Sequence, residues 1–287
     1  MLILTCPSKL QLLEGVLRRS LPQTLTAYGA VMHINRGNPA QHEVMVDSWP
    51  EFKAILTRPC KEEVKDKWDF YANLHATFYR DVDACRAMLE NTEVIDWSKA
   101  FQLHGLQDGM YEVARDIAKT RHVHLESYLY QTFLHPDLPA SCQNRLKSDF
   151  LHFGKLMPSH AAILNEVWAS GGNSRSLRYL ESLIHRFPHA CLMDKEGQLV
   201  SWSLSDPLAC LTHGYTFPQY RDQGCAGAVL QSVSEKLHAR GFPLYCGILP
   251  ENQPSKQAVK RQGFQLLPET YYTLIVTPAL DLKEQET

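Results

Sequence analysis

The sequence predicts an α/β protein, more closely an α+β one, whose mixed and mostly antiparallel sheet is flanked by helices. Short apolar runs typical of strands alternate with segments of helical period along all 287 residues. Two prolines and a serine cluster at 135–141, where the periodicity lapses, which indicates a linker. We therefore expect an N-terminal domain at 1–134, a linker region at 135–157 and a second domain at 158–287.

The first half begins with an amphipathic helix, because leucines recur at helical spacing from Leu10 to Leu21. The apolar run from Ala27 to Ile34, closed by a dense turn signal, predicts a strand. Two further strands are predicted at 43–47 and 52–57. Helical patterns follow around residues 70–78, 82–89 and 106–118.

The second half predicts two helices followed by a sheet. Ser159 is placed as the N-cap of the first helix, and Asn173 or Ser174 as the cap of the second. Later strands are predicted at 190–193, 199–204, 209–216, 243–249 and 271–276. Helices are predicted after the glycine turn that follows Thr216, and again at 253–261.

Composition argues against several classes of function. A net charge of −2, with no run of like charges, does not indicate a nucleic-acid or anionic-membrane partner. The eight cysteines form no Cys-x-x-Cys pair, which argues against a zinc site and favours a reducing compartment. No apolar run approaches the roughly 20 residues that span a bilayer, and the first residues lack the basic region of a signal peptide. We therefore expect a soluble, intracellular protein that binds no metal.

The stretch from Thr216 to Leu230 carries the strongest functional signal. It predicts a strand, a tight turn and a helix start, with glycine and small residues at the turn. The first backbone N–H groups of a helix have no intrahelical partner and lie at the positive end of its dipole, so such a turn suits a phosphate. An ordinary strand-to-helix connection is equally compatible with this motif alone.

Two signatures in the same chain resemble those of the GNAT superfamily of acyl-CoA-dependent acyltransferases. The turn at Arg221–Ala226 resembles the Arg/Gln-x-x-Gly-x-Gly/Ala pyrophosphate loop. Downstream residues resemble the second signature, in which an asparagine opens a helix after the fifth strand and Gly-Phe closes it. These residues are Asn252, Ser255, Ala258, Gly263 and Phe264.

A closer resemblance, to the glycine N-acyltransferase family and its vertebrate glycine N-acyltransferase-like members, covers nearly the whole chain. The segments that carry it are Tyr28-Gly29, His33–Pro39, Trp49-Pro50, Trp168, Gly171–Asn173 and Arg240–Pro243. This resemblance implies tandem GNAT-like halves, of which the first is degenerate and lacks a cofactor loop. It also implies transfer of an acyl group from acyl-CoA to glycine or a similar amino acid, in the mitochondrial matrix or alternatively the cytosol.

Acyl-CoA is then a co-substrate, and no cofactor is bound permanently. We expect the pyrophosphate to bind backbone N–H groups of the loop, where a bulky side chain would block its approach. The pantetheine arm would pair with the main chain at the end of the preceding strand. The expected CoA-contacting residues are Tyr215, Thr216, Phe217, Arg221, Asp222, Gln223, Gly224, Cys225, Ala226, Gly227, Asn252 and Ser255.

An amine must lose a proton before it attacks a thioester. The resembled family uses a glutamate on the fourth strand, and the corresponding position, eleven residues before Arg221, is Cys210 here. One hypothesis makes His213 the base through a water chain, although strand alternation separates it from Cys210 unless a bulge intervenes; the other makes His213 structural. Cys210 is either an acyl-accepting nucleophile or a small core residue.

The remaining site residues have weaker signals. The superfamily's proton-donating tyrosine falls at Val259, so solvent or Tyr271 or Tyr272 would have to protonate the leaving thiolate. Candidates for the amino-acid site are Asn173, Arg175 and Arg36. Two alternative functions stay open, namely acylation of another amine such as a polyamine or protein lysine, and acyl-CoA binding without catalysis.

Overall fold

The computed structural model describes residues 1–136 and 150–279. Its helices within these ranges are α1 (Pro7–Arg18), α2 (Leu25–Asn35), α3 (Val82–Glu90), α4 (Met110–Arg121), α5 (Ala161–Val167), α6 (Ser174–Arg186), α7 (Cys225–His238) and α8 (Gln253–Arg261). Its strands over the same residues are β1 (Leu2–Ile3), β2 (His42–Val46), β3 (Ala54–Pro59), β4 (Leu74–Tyr79), β5 (Phe101–Gly105), β6 (His124–His135), β7 (His152–Gly154), β8 (His189–Met193), β9 (Leu199–Ser205), β10 (Leu211–Thr216), β11 (Leu244–Ile248) and β12 (Gln265–Thr277).

The chain forms two compact units. The first unit holds Met1–Leu129 together with the chain from Glu269 onward, and the second holds Tyr130–Pro268. In the first unit the strand order is β1-β2-β3-β4-β5-β12, and each neighbouring pair except β4 and β5 is antiparallel. In the second unit β7, β8, β9 and β10 form an antiparallel sheet, and β6 pairs with β11. The predicted fold class is confirmed, while most of the expected linker falls on residues 137–149, outside the described part of the chain.

The two units share one order of elements. Helices α1 and α2, strands β2 to β4, α3, β5 and α4 are followed in the second unit by α5 and α6, β8 to β10, α7, β11 and α8 in the same order. A further strand follows each series, and its paired residues lie in the same unit as their partners. Strand β6 pairs with β11 through residues 131–135, and β12 pairs with β5 through residues 272–276.

The strand predicted at Ala27–Ile34 is wrong, because these residues belong to helix α2. Every residue of α2 from Leu25 to His33 is buried, so the helix has no polar face. A helix that is apolar on all sides shows no amphipathic period, and a short apolar run of this kind cannot be distinguished from a buried strand by periodicity.

The helix predicted around residues 70–78 is also wrong, because residues 74–79 form β4. All six residues of this strand are buried. A strand covered on both faces has no alternation of apolar and polar residues, so its pattern resembles that of a helix.

The start of the second half is capped differently from the prediction. Ser159 lies inside a 3₁₀ turn, and α5 begins only at Ala161, after His160. The prediction for α6 is confirmed at Asn173, whose Oδ1 accepts hydrogen bonds from the N–H groups of Arg175 and Ser176 at 2.9 and 3.0 Å.

Candidate active site

The turn between β10 and α7 has the predicted order of strand, turn and helix. After β10 a 3₁₀ turn occupies Pro218–Tyr220, and α7 begins at Cys225. Gly224 precedes this helix with a φ of 86°, a conformation that costs any residue with a Cβ. No side chain caps the first turn of α7. Among the described residues, no side chain competes with an anionic ligand for the first backbone N–H groups of α7.

The equivalent turn of the first unit carries its own carboxylate. Helix α3 follows β4 as α7 follows β10, and Asp81 caps it by accepting hydrogen bonds from the N–H groups of Asp83 at 2.9 Å and Ala84 at 3.4 Å. These bonds lower the pKa of Asp81. At the start of α7 the corresponding residues are small and neutral, and Arg221 lies just before them. Of these two helix starts, only that of α7 is suited to an anion.

The two units also differ at the strand before this helix. Strand β10 pairs only with β9 among the described strands, whereas β4 pairs in parallel with β5. In the first unit Gln107 adds a bridge to β4: its Oε1 accepts from the N–H of Tyr79 at 2.8 Å, and its Nε2 donates to the Tyr79 carbonyl at 2.6 Å. An extended ligand can therefore pair with the main chain of β10, while the same position on β4 is occupied.

Aromatic rings surround the end of β10. Tyr215 stacks on Trp202 with ring centroids 5.2 Å apart, and Phe217 meets these two rings edge-on at 5.5 and 5.7 Å. The guanidinium of Arg221 lies over the Tyr215 ring at 5.9 Å, and its Nε donates to the carbonyl of Thr216 at 3.2 Å. These contacts bring the predicted residues of the strand end and of the turn together.

The second signature shapes both ends of α8. Asn252 caps the helix by accepting a hydrogen bond from the N–H of Ser255 at 3.2 Å. Gly263 follows the helix with a φ of 88°, and a Cβ there would lie 2.6 Å from Nε2 of His135. Phe264 packs edge-on against the same histidine at 5.2 Å. The local geometry explains these residue types, and a contact of Asn252 or Ser255 with CoA stays a prediction.

A buried carboxylate lies in the turn that leads into β10. Asp206 is 6% exposed, and its Oδ1 accepts hydrogen bonds from the N–H groups of Leu208 at 2.8 Å and Cys210 at 2.9 Å. Burial raises the pKa of Asp206 to about 7, and these hydrogen bonds act in the opposite direction. The hydroxyl of Tyr245 donates to the Leu208 carbonyl at 2.7 Å. Cys210 is buried, and its Sγ lies 3.6 Å from the carbonyl oxygen of Leu211.

His213 lies on a β-bulge, the irregularity that would be needed to place it on the same face of the strand as Cys210. The register between β9 and β10 shifts between Thr212 and Tyr215, and His213 has a φ of 51°. Its ring meets Trp168 edge-on at 4.5 Å and Tyr179 at 6.0 Å. Although the residue is only half-buried, exclusion of water from the ring lowers the pKa of His213 to about 4. The ring is therefore neutral near pH 7 and a weak proton acceptor.

Comparisons with known proteins agree with this geometry. Residues 1–188 match the family described as aralkyl acyl-CoA:amino acid N-acyltransferase, and residues 190–278 match its C-terminal region. The chain belongs to this family of acyltransferases. Glycine N-acyltransferase of Bos taurus is 35% identical to this acyltransferase over 269 residues, which cover 88% of this chain and 91% of the relative. Glycine N-acyltransferase-like protein 2 of Homo sapiens is 33% identical, and the match covers 97% of this chain and 99% of the relative.

Solved structures share the fold of this acyltransferase at low sequence identity. A Drosophila protein superposes with a TM-score of 0.74 at 17% identity, covering 97% of this chain and 99% of its own. A tandem GNAT protein from the clavulanic acid biosynthesis pathway superposes with a TM-score of 0.54 at 10% identity, covering 97% and 98%. The GNAT fold expected from the sequence is confirmed.

The acyltransferase uses two of the predicted substrate-binding residues in its own structure. The guanidinium of Arg36 binds both carboxylate oxygens of Glu14 at 2.9 and 3.0 Å, within the first unit. Asn173 is the cap of α6, and its carbonyl accepts from the hydroxyl of Ser176 at 2.9 Å. These contacts do not favour Arg36 or Asn173 as ligands of a substrate carboxylate. Arg175 is half-buried in the first turn of α6, and its substrate role stays a prediction.

The two tyrosines considered as proton donors both belong to the first unit. The hydroxyl of Tyr271 lies 2.9 Å from Nδ1 of His104, and that of Tyr272 donates to Asp108 at 3.0 Å. Partial burial and the Asp108 carboxylate raise the pKa of Tyr272 to about 12. Because each hydroxyl already has a partner, this geometry does not favour either as the donor to a thiolate. Val259 is buried in α8.

Sequence reasoning missed two residues near the site, Asp206 and Tyr179, and the Gln107 bridge that occupies the equivalent strand of the first unit. Asp206 precedes a proline between two strands, which is an ordinary turn signal, and only burial distinguishes its carboxylate. Tyr179 fits the pattern of α6 and has no motif of its own. The bridge from Gln107 to β4 joins residues 28 positions apart, so no local pattern could reveal it.

Two kinds of feature are absent from residues 1–136 and 150–279. No group of three or more His, Cys, Asp or Glu side chains there could hold a metal ion, and none of the helices has the length and apolar character to cross a membrane. Seven cysteines in this part of the chain are free thiols, and Cys142 lies outside it.

Proposed function

We propose that this acyltransferase moves the acyl group of acyl-CoA directly to the amino group of glycine or a similar amino acid, in a ternary complex. The observation that carries the proposal is the uncapped start of α7 after the unpaired edge of β10, because the first unit has the same elements with both features occupied. Two Bos taurus relatives, named glycine N-acyltransferase and glycine N-phenylacetyltransferase, support glycine as the acceptor.

The CoA pyrophosphate binds the backbone N–H groups between Asp222 and Gly227, with the positive end of the α7 dipole and Arg221 favouring its charge. The adenosine side of CoA then lies toward α8, where Asn252 and Ser255 begin the helix. The pantetheine arm runs back along β10 from Thr216 and pairs with its free edge. Acyl-CoA binds and leaves with each turnover, as a co-substrate.

The thioester carbonyl meets the bulge of β10, where residues 213 and 214 lie opposite the single residue 203 of β9. A backbone N–H at this bulge stabilises the oxyanion that forms when the amine attacks. Direct attack by the bound amine is proposed in preference to an acyl-cysteine, because it requires no covalent intermediate on the enzyme. The mitochondrial matrix is the proposed compartment, with the cytosol as the alternative, and fractionation of cells would decide between them.

The proposal is tested by measuring thiol release from acyl-CoA in the presence of separate amines. Glycine, other amino acids, a polyamine and a lysine peptide form the panel, and mass spectrometry identifies the product. We expect release that depends on glycine or a close relative, with formation of the N-acyl amino acid. Release only with the polyamine or peptide would contradict the acceptor, and tight acyl-CoA binding without release would contradict catalysis.

A further inference from the structure

We propose that Asp206 is the general base that removes a proton from the incoming amine. This inference rests on the proposed function and names a residue for it. The resemblance described in the sequence analysis assigns a glutamate base to the position that Cys210 occupies here, so we expect a carboxylate to come from elsewhere. Asp206 lies directly beside that position, because its Oδ1 is 2.9 Å from the backbone nitrogen of Cys210. The turn before β10 thus supplies a carboxylate at the place where the strand lacks one.

The position of Asp206 fits the proposed path of the pantetheine arm along β10. An arm that pairs with β10 from Thr216 backwards brings its thioester to the bulge at His213, two residues from Leu211, the first residue of the strand. Cys210 precedes Leu211, and Asp206 closes the same turn through a second bond, from its own N–H to the Cys210 carbonyl at 3.2 Å. The carboxylate and the reacting carbonyl are therefore expected at the same end of β10.

The surroundings of Asp206 suit a proton acceptor. Tyr179 of α6, Tyr245 of β11 and Cys210 of the turn interact with Asp206. Burial raises the pKa of both tyrosines well above the usual value, and Asp206 and Cys210 add to this rise, so the tyrosines are neutral. No cation is among the groups that shift the pKa of Asp206. With a pKa of about 7, Asp206 is a stronger base than an ordinary carboxylate and than His213.

The proton balance of the step is complete without another reactant. One proton of the substrate ammonium passes to the Asp206 carboxylate, and the free amine attacks the thioester carbonyl carbon to form the C–N bond. Collapse of the tetrahedral intermediate breaks the C–S bond, and the leaving thiolate takes the second proton lost by the nitrogen. Asp206 then releases its proton to solvent, so that each turnover yields the amide, CoA thiol and one proton.

The competing explanation is that Asp206 only shapes the turn. Asp206→Asn separates the two, because the amide oxygen can still accept from Leu208 and Cys210 while the group no longer takes a proton. We expect kcat at saturating glycine to fall about 100-fold or more, with acyl-CoA affinity changed less than about twofold. The wild-type rise of kcat with a midpoint near pH 7 should disappear, and the variant should regain rate as pH approaches the pKa of the amine itself.

Asp47→Asn is the matched control. Its Oδ1 likewise accepts from two backbone N–H groups, those of Lys53 at 2.8 Å and Ala54 at 3.0 Å, but it lies in the first unit. We expect this variant to keep the wild-type rate and pH profile.

The outcomes separate this inference from the proposed function. Wild-type protein that releases no thiol with any amino acid overturns the proposed function and the inference together. Wild-type turnover with an unaltered rate and pH profile in Asp206→Asn overturns the inference alone. If circular dichroism shows that Asp206→Asn is unfolded, the wild-type profile decides, because the inference requires a limb near pH 7 and the absence of that limb refutes it.

Discussion

Gly263 allows the second signature to be tested with a quantitative pair of variants. Gly263→Ala places a Cβ at a φ of 88°, which costs about 1 to 2 kcal/mol for a residue other than glycine. The new Cβ would also lie 2.6 Å from Nε2 of His135, and displacing that ring adds about 1 to 3 kcal/mol of overpacking. We expect the free energy of unfolding to fall by about 2 to 5 kcal/mol.

Gly172→Ala is the control, because Gly172 has a φ of 86° and no atom lies within 4 Å of the position that a Cβ would take there. This variant carries only the backbone strain of about 1 to 2 kcal/mol. The entropy that alanine removes from the unfolded chain is the same in both variants and cancels. The difference between them, about 1 to 3 kcal/mol, therefore measures the contact with His135.

Urea unfolding followed by tryptophan fluorescence measures both free energies. His135→Ala provides a second control, since Gly263→Ala made in that background should lose no more stability than Gly172→Ala. Equal losses for Gly263→Ala and Gly172→Ala in the wild-type background would refute the steric explanation. An unchanged penalty after removal of His135 would refute it as well.

Three further predictions concern charge, pH and the thiol. Ala226→Asp adds a carboxylate to the first turn of α7, where α3 has Asp83, and should weaken acyl-CoA binding about tenfold or more in calorimetry at low salt; an equal loss in the isosteric Ala226→Asn would contradict the electrostatic argument. Burial lowers the pKa of His42 and of His104 to about 3. Because only the unfolded state gains their protons below about pH 6.5, the contribution of these two histidines to the free energy of unfolding should fall by about 4 kcal/mol between pH 7.5 and 5. The same pH dependence of the urea midpoint in the wild type and in a variant that lacks both histidines would show that they do not control acid stability. Cys210→Ala should keep turnover, and intact mass spectrometry of the wild type with acyl-CoA should find no acyl group on Cys210; a covalent adduct there would reverse this expectation.

The geometry of the turn before α7 could be predicted because its determinants are local. The positive φ of Gly224, the small residues after it and the helix start are all consequences of residues within one turn of each other. The same holds for the cap at Asn252 and for Gly263. Turns and helix caps of this kind can be predicted because they depend on residues that are close in the sequence.

The sequence predictions that were wrong or incomplete concern segments whose structure depends on the residues that pack around them. Helix α2 and strand β4 are buried on every side, and their patterns therefore contain no polar face to set a period. Asp206 has the sequence context of a surface turn, although the residue is buried. The sequence allows a bulge at His213 but does not predict one, because a register shift depends on the pairing of two strands.

The pairing of β6 with β11 and of β12 with β5 limits how this protein can be divided. A fragment that stops at residue 134 would lack residues 272–276 and leave the edge of β5 open, and a fragment that starts at 158 would leave β11 without residues 131–135. Unpaired strand edges of this length promote aggregation. The turn before α7 is encoded wholly in the second half of the chain, yet each half of the sequence supplies a strand segment that pairs with a strand of the other half.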